Sequence, residues 1–171
     1  ILSGNSSTGT INFGDSGDDN VGSIFYDHSS NYLAFQSSGA EGMRMQSNGK
    51  LYINHIEDIS TGTTHHLQVA KNNTAASMVV HAGLNTDGGG NYTLSKSRHA
   101  TPGSSTILQD GDVMGSLRWV AADGNDLTCI GATINCRVDG SPGQDDMPTR
   151  MSFTVAPDGA NSPTERFRIS Q

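Results

Sequence analysis

Four kinds of side chain in this sequence could do chemistry: carboxylates, two thiols, a histidine pair and the serine of Gly14-Asp15-Ser16-Gly17. That tetrapeptide looks like the nucleophile turn of a chymotrypsin-like protease. In such a protease the histidine and aspartate partners precede the serine, whereas no histidine lies among the fifteen residues before Ser16. Because Asp, Ser and Gly are typical turn residues, we interpret the segment as a turn and predict no catalytic residue.

Paired carboxylates at Asp18-Asp19 and Asp145-Asp146 suggest glycoside hydrolysis. That reaction needs two carboxyl groups about 5 to 9.5 Å apart across a cleft, and neighbouring strand residues point to opposite sides. Carboxylates of different chains could still meet. We predict solvated turn acids and no enzymatic activity, with polysaccharide cleavage as the alternative.

Metal binding is not favoured by the residue spacing. No glutamate stands at loop position 12 after Asp15 or Asp18, as a calcium-binding EF-hand requires. His65 and His66 are adjacent, so at most one could face inward from a strand. Structural calcium and a histidine-bound metal on a symmetry axis remain minor alternatives, and we predict no metal and no cofactor. The cysteines Cys129 and Cys136 lie seven positions apart in one alternating run, about 23 Å along a strand, so we expect no disulfide.

The elements that carry these residues are predicted to be β-strands. Large aliphatic residues and Phe number 32 of 171, whereas Gly, Ser, Thr and Asn together number 70. Short runs of alternating polarity are separated by Gly and Pro, which predicts an all-β fold of short antiparallel strands and hairpins. So little apolar mass gives one chain a thin core, a limit that several copies sharing one core would not face.

Net charge and hydropathy exclude two classes of partner. The net charge is −7 and the pI is near 5.1, so the basic surface that nucleic acids require is missing. No apolar run approaches the roughly 20 residues of a membrane span, and no secretory signal is visible at Ile1-Leu2. The missing initiator Met suggests a piece of a longer protein.

An internal repeat divides the chain. Its first copy reads Gly22-Ser-Ile24, Leu33-Ala-Phe35 and Glu41-Gly-Met-Arg-Met45, and its second reads Gly115-Ser-Leu117, Met151-Ser-Phe153 and Glu165-Arg-Phe-Arg-Ile169. We predict a first β module at 1–54, a linking β-hairpin and Gly-rich loop at 55–105, and a second module at 106–171 with an insertion at 120–150. Within the link, Leu67 and Val69, a turn at 71–74 and Met78-Val79-Val80 predict strand, turn and strand.

Several of these strings resemble segments of tailed-bacteriophage tail-fibre and tailspike proteins. The resemblance covers about two thirds of the chain. It rests on Phe13-Gly-Asp-Ser-Gly-Asp-Asp-Asn-Val-Gly-Ser-Ile-Phe-Tyr-Asp-His28, Leu33-Ala-Phe35, Glu41-Gly-Met-Arg-Met-Gln-Ser-Asn-Gly49, Leu94-Ser-Lys-Ser-Arg98, Gln109-Asp-Gly-Asp-Val-Met-Gly-Ser-Leu-Arg118, Val138-Asp-Gly-Ser-Pro-Gly-Gln-Asp-Asp-Met-Pro148 and Ser162-Pro-Thr-Glu-Arg-Phe-Arg-Ile169.

This resemblance implies a fibre or knob segment that intertwines as a homotrimer in the virion and often precedes an intramolecular chaperone. Its implied partners are other tail proteins and a host surface glycan or outer-membrane receptor, and its implied role is host attachment. A polysaccharide-degrading tailspike is the alternative, and an adhesin-like module or head-decoration fibre would share the same fold. The apolar residues that we expect in a shared trimer core are Ile24, Phe35, Met43, Met45, Leu117, Trp119, Phe153, Phe167 and Ile169. We expect Asn91 and Tyr92, beside the Gly-rich loop, to contact the receptor.

Each module ends in a Glu-x-apolar-Arg-apolar pattern, at Glu41 to Met45 and at Glu165 to Ile169. Glu and Arg three positions apart point to opposite faces of a regular strand. We therefore expect contacts between strands or chains rather than within one strand, and a role in trimer register.

Overall fold

The computed structural model describes residues 1–83 and 85–170, and within these ranges it contains strands and no helix. The ten strands are β1 (Thr8–Phe13), β2 (Gly22–Asp27), β3 (Tyr32–Ser37), β4 (Ala40–Met45), β5 (Leu51–Ile53), β6 (Leu67–Val69), β7 (Val113–Ala121), β8 (Cys129–Val138), β9 (Thr149–Val155) and β10 (Thr164–Ile169). The prediction of an all-β fold is confirmed. No helix able to cross a membrane occurs in the described part of the chain.

The strands form two sheets. Sheet A has the order β1-β2-β3-β4-β5-β6, and sheet B has the order β10-β9-β8-β7. Neighbouring strands are antiparallel except β5 and β6, which are parallel. The chain divides into two compact units, Ile1–Val79 with sheet A and Val80–Gln171 with sheet B.

Hairpin turns in sheet A follow from residues that accept a left-handed backbone. Ser38 and Gly39 have φ of 51° and 71°, and they join the paired residues Ser37 and Ala40. Two central residues of positive φ match the right-handed twist of the flanking strands. The local sequence therefore fixes the register of β3 and β4.

The internal repeat recurs as a repeated strand pairing. Phe35 lies opposite Met43 in sheet A, and Phe153 lies opposite Phe167 in sheet B. Each pair is followed by a register shift that leaves one extra residue, Gly42 on β4 and Arg166 on β10. The inserted strand β8 lies between β7 and β9 in sheet B, which explains the wider spacing of the second repeat.

The predicted hairpin in the link is wrong. The first run forms β6, but its partner is β5, and Met78, Val79 and Val80 lie outside any strand with exposed fractions of 64%, 84% and 53%. An apolar β-branched run forms a strand only where a sheet edge pairs with it. The local sequence pattern does not show whether such an edge is present.

The core within one chain is small. Ala34 and Tyr52 in the first unit and Leu108 and Val138 in the second are the apolar residues that the described part of the chain buries. Many larger apolar side chains are exposed. Most of the apolar surface therefore lies on the sheet faces.

Candidate assembly surface

One face of sheet A is apolar and uncovered. The register across six strands aligns Ile24 with Phe35 and Met43, and Leu33 with Met45. The complete set on this face is Ile11, Phe13, Ile24, Tyr26, Leu33, Phe35, Met43, Met45, Leu51, Ile53, Leu67 and Val69. Seven of these twelve side chains are at least 36% exposed. We call this set apolar face A.

Sheet B repeats the arrangement. The row from Leu117 through Ile134 and Phe153 to Phe167 crosses all four strands, and the last two rings lie 5.5 Å apart between centroids. The complete set, which we call apolar face B, is Leu117, Trp119, Ala132, Ile134, Cys136, Met151, Phe153, Val155, Phe167 and Ile169. Six of these ten are at least 40% exposed. Contiguous exposed apolar surface of this kind marks an interaction site.

The residues expected in a trimer core thus fall on these two faces. Ile24, Phe35, Met43 and Met45 share apolar face A, and the five from Leu117 to Ile169 share apolar face B. Association itself remains a proposal.

The opposite face of sheet A is polar and better buried. Tyr52 is 2% exposed, and its hydroxyl donates to Asp58 Oδ1 over 3.2 Å. Gln68, 6% exposed, donates to the same oxygen over 2.6 Å, and its own Oε1 accepts the Ile59 backbone N–H. Lys50 Nζ donates to Asp58 Oδ2. These bonds hold residues 54–66 to sheet A.

The same contacts shift two pKa values. Hydrogen bonds from Lys50 and Gln68 lower the pKa of Asp58, and burial raises the pKa of the Tyr52 hydroxyl. This network could not be predicted from the sequence, because its members are spread over 50–68 and form no motif. The position of Tyr52 between Leu51 and Ile53 was the one sequence feature that indicated a side chain on the opposite face of this strand.

The expectation that Glu and Arg form contacts between strands or chains, rather than within one strand, is wrong. Arg44 donates to both oxygens of Glu41 over 2.6 and 2.7 Å within β4, and Arg168 donates to both oxygens of Glu165 over 2.8 and 3.0 Å within β10. The extra residue of each β-bulge adds one position, so Glu and Arg emerge on the same face. Arg44 also lies 3.7 Å from the centroid of the Tyr32 ring.

The acidic turns use their carboxylates to hold their own backbones. Asp15 Oδ1 accepts the N–H groups of Gly17 and Asp18, which confirms the turn around Ser16. Asp123 Oδ1 likewise accepts the N–H groups of Asn125 and Asp126. These backbone hydrogen bonds lower the pKa of Asp123 to about 2.

The other paired carboxylates also lie in turns. Asp18 Oδ1 accepts the Asn20 N–H, and Asp145, with φ of 56°, lies in the tight turn closed by the Gly143–Asp146 bridge. All four paired acids are exposed.

His65 Nε2 lies 2.6 Å from the Thr61 hydroxyl, and residues 1–83 and 85–170 contain no group of three metal-ligating side chains. Cys129 and Cys136 are free thiols that lie on the same continuous strand, β8. A hydrogen bond to Asp123 raises the pKa of Cys129, whereas Cys136 lies on apolar face B.

The predicted receptor residues lie on the irregular segment between β6 and β7. Asn91 Nδ2 donates to the Gly89 carbonyl over 3.1 Å, and the Tyr92 side chain is 66% exposed. Both are therefore accessible in one chain. Contact with a receptor remains a proposal.

The later part of this segment is fixed by Asp112. Its carboxylate accepts two hydrogen bonds from Arg98, over 2.6 and 2.9 Å, and pairs with Lys96 at 3.3 Å. The Gln109 backbone N–H also donates to it. Arg98 and then Gln109 lower the pKa of Asp112 well below its usual range.

This pKa shift predicts acid sensitivity of the second unit. A carboxyl whose pKa is lower in the folded than in the unfolded state stabilises the fold above the unfolded pKa, about 3.9, and loses that contribution as the pH falls further. We expect the melting temperature of the second unit to fall between about pH 4 and pH 2, and to fall less steeply in Asp112→Asn. Circular dichroism melts at each pH measure both slopes. Equal slopes would contradict the assignment, and Asp87→Asn is the matched control.

Comparisons with known proteins add evidence on the fold. No protein-family model matches the chain, and no curated protein matches it. Two solved structures that are similar to this chain are both of the carboxy-terminal domain of the bacteriophage T5 L-shaped tail fibre. The first has 14% sequence identity and a TM-score of 0.57, and the match covers 99% of this chain and 71% of that chain.

The second includes the intramolecular chaperone domain of that fibre. It has 14% identity and a TM-score of 0.60, with 99% of this chain and 49% of that chain covered. The protein therefore has the fold of a phage tail-fibre carboxy-terminal domain. This result agrees with the resemblance carried by the sequence strings.

Proposed function

We propose that the chain is a structural and host-attachment segment of a phage tail fibre, located in the virion and active as a homotrimer without enzymatic activity. The observation that carries this proposal is the pair of uncovered apolar faces on a tail-fibre fold. Their exposed side chains include Trp119 at 54%, Phe167 at 57% and Met45 at 51%. Burying them against further copies would supply the core that one chain lacks.

In the proposed trimer, apolar face A of each copy packs against the same face of two others, and apolar face B does likewise. Loops on the remaining surface are then presented three times. Weak contacts made by Asn91 and Tyr92 to a host glycan or outer-membrane receptor would gain from this multivalency. Other tail proteins complete the set of proposed partners.

A passive rather than hydrolytic role is supported by the acidic turns. The carboxylates of Asp15, Asp18 and Asp123 accept backbone hydrogen bonds within their own turns. They stabilise loops instead of facing one another across a cleft.

Sedimentation equilibrium of the purified chain tests the proposal. We expect a mass of three times 18.0 kDa, independent of concentration in the micromolar range. A folded species of 18.0 kDa would contradict it. A reducing-end assay on host polysaccharide tests the absence of enzymatic activity in the same sample.

A further inference from the structure

Charge is unevenly distributed between sheet B and the rest of the chain. The four strands of sheet B carry five arginines and one carboxylate, Glu165, a net charge of +4. The whole chain has a net charge of −7. The strands of sheet A, in contrast, carry Arg44 against Asp27 and Glu41. Basic side chains are therefore concentrated on one sheet of an acidic protein.

Strand register places four of these arginines on one face. Arg137 lies directly opposite Arg150, Arg168 lies opposite Ser152, and Arg118 lies opposite Thr133. Directly opposed residues share a face of the sheet, and this face is the one opposite apolar face B. We call it the arginine face.

Two of the four guanidinium groups form no ion pair with a carboxylate of the described residues. Arg150 pairs with Asp139, and Arg168 pairs with Glu165. Arg137 donates to the Gly111 carbonyl, and neither it nor Arg118 forms an ion pair within the part of the chain that the structure describes. Asp139 balances the charge of Arg150 opposite Arg137, so Arg118 and Arg137 are the two guanidinium groups whose charge a ligand could pair with.

Between the arginines lies a ladder of hydroxyl and amide groups. Thr133 and Thr154 share a 2.6 Å hydrogen bond, Asn135 donates to Thr133 over 2.6 Å, and Ser116 donates to Asn135 over 2.7 Å. These bonds fix the rotamers of the ladder. Thr133 and Ser152 on this face are only 8% and 5% exposed, so the ladder orders the strands, and the guanidinium groups are what the face offers to a ligand.

We propose that the arginine face binds an acidic polysaccharide of the bacterial surface. Planar guanidinium groups bind carboxylates through two parallel hydrogen bonds. Arg118 and Arg137 are four strand positions apart in register, about 13 Å, so they contact acidic groups on different sugars. A nucleic acid fits less well, because its dense charge is repelled by the acidic remainder of the protein.

This inference deepens the proposed function and rests on it, since burial of apolar face B in the proposed trimer would leave the arginine face as the outer surface of sheet B. It assigns recognition to the sheet, in addition to the contacts proposed for Asn91 and Tyr92. It also specifies that the receptor glycan is acidic.

The test uses the full chain and two immobilised probes, hyaluronan and colominic acid, each with its carboxyl-reduced form. We expect binding to at least one acidic probe in biolayer interferometry, and about tenfold weaker binding to its reduced form. Replacing the two guanidinium groups that form no ion pair among the described residues, in Arg118→Gln/Arg137→Gln, is expected to weaken binding about tenfold, given the strength of two surface ion pairs. The affinity should also fall as salt is raised.

The matched control is Lys71→Glu, which changes the net charge by the same amount as the double variant at an exposed position outside the sheets. It should retain affinity within about twofold. The proposal is overturned if neither acidic probe binds, if the reduced forms bind equally well, or if Lys71→Glu weakens binding as much as the double variant. Duplex DNA that competes as well as the acidic probe would overturn it in favour of a general anion surface.

Sedimentation of the same samples separates this proposal from the proposed function. A monomer that binds the acidic probe through Arg118 and Arg137 would contradict the trimer and leave the arginine face as a binding surface. A trimer without such binding would contradict the arginine face alone.

Discussion

Replacing Phe167 by aspartate is expected to convert the proposed trimer into monomers. The Phe167 side chain is 57% exposed in one chain, so the substitution removes little packing within that chain. In the trimer it would remove about 2 kcal/mol of apolar burial per chain, or about 6 kcal/mol per assembly. It would also place three carboxylates in an apolar interior, where an unpaired charge is costly. Sedimentation velocity at micromolar concentration measures the loss.

The same change on the other sheet tests apolar face A. Phe35→Asp should weaken association by a similar amount, because Phe35 belongs to the equivalent cross-strand pair of sheet A, opposite Met43, and is 36% exposed. Asn161→Asp adds one negative charge at an exposed turn and should leave the trimer intact. If Phe167→Asp and Phe35→Asp both remained trimeric, the apolar faces would not be the interface. Circular dichroism of each variant separates dissociation from unfolding.

Truncating Tyr52 is expected to cause the largest loss of stability within one unit. Tyr52 is one of two buried apolar residues described in the first unit, it stacks on His55 at 4.7 Å, and its hydroxyl donates to Asp58. Tyr52→Ala should lower the free energy of unfolding of this unit by about 3 kcal/mol, the usual cost of removing a buried aromatic ring. Tyr52→Phe keeps the ring and should cost about 1 kcal/mol for the hydrogen bond.

Native-state hydrogen exchange measures this effect where it occurs. The amides of β5 and β6 should exchange faster in Tyr52→Ala, while those of β8 in the second unit stay protected. Equal losses in Tyr52→Ala and Tyr52→Phe would show that the hydroxyl, and not the ring, stabilises the sheet. No change in either variant would contradict the assignment of Tyr52 to the core.

Much of the fold could be predicted because its strands are local patterns. Ile24, Phe35 and Met43 each belong to a short run in which apolar residues stand at every second position. This alternation alone assigns each of them to one face of its own strand. The second copy of the repeat has the same alternation, which places Leu117 and Phe153 on one face of sheet B. These predictions needed only the two-residue period of a strand.

Other features depended on pairing and could not be read from spacing. The bulge at Gly42 brings Glu41 and Arg44 together, although their parity on a regular strand separates them. Met78 to Val80 has the composition of a strand and lacks a paired edge. The concentration of arginines on one face also required the register of four strands, since Arg118 and Arg168 are fifty residues apart in sequence.

The sequence by itself determined that this protein is all-β, acidic and poor in core residues, because composition and two-residue alternation are properties of the chain alone. Tertiary structure decided which faces remain open and which polar groups meet, because sheet order, register and bulges arise from long-range hydrogen bonding. Tyr52, Asp58 and Gln68 form one network only after β5 and β6 pair. The two apolar faces likewise become continuous surfaces only after their strands align.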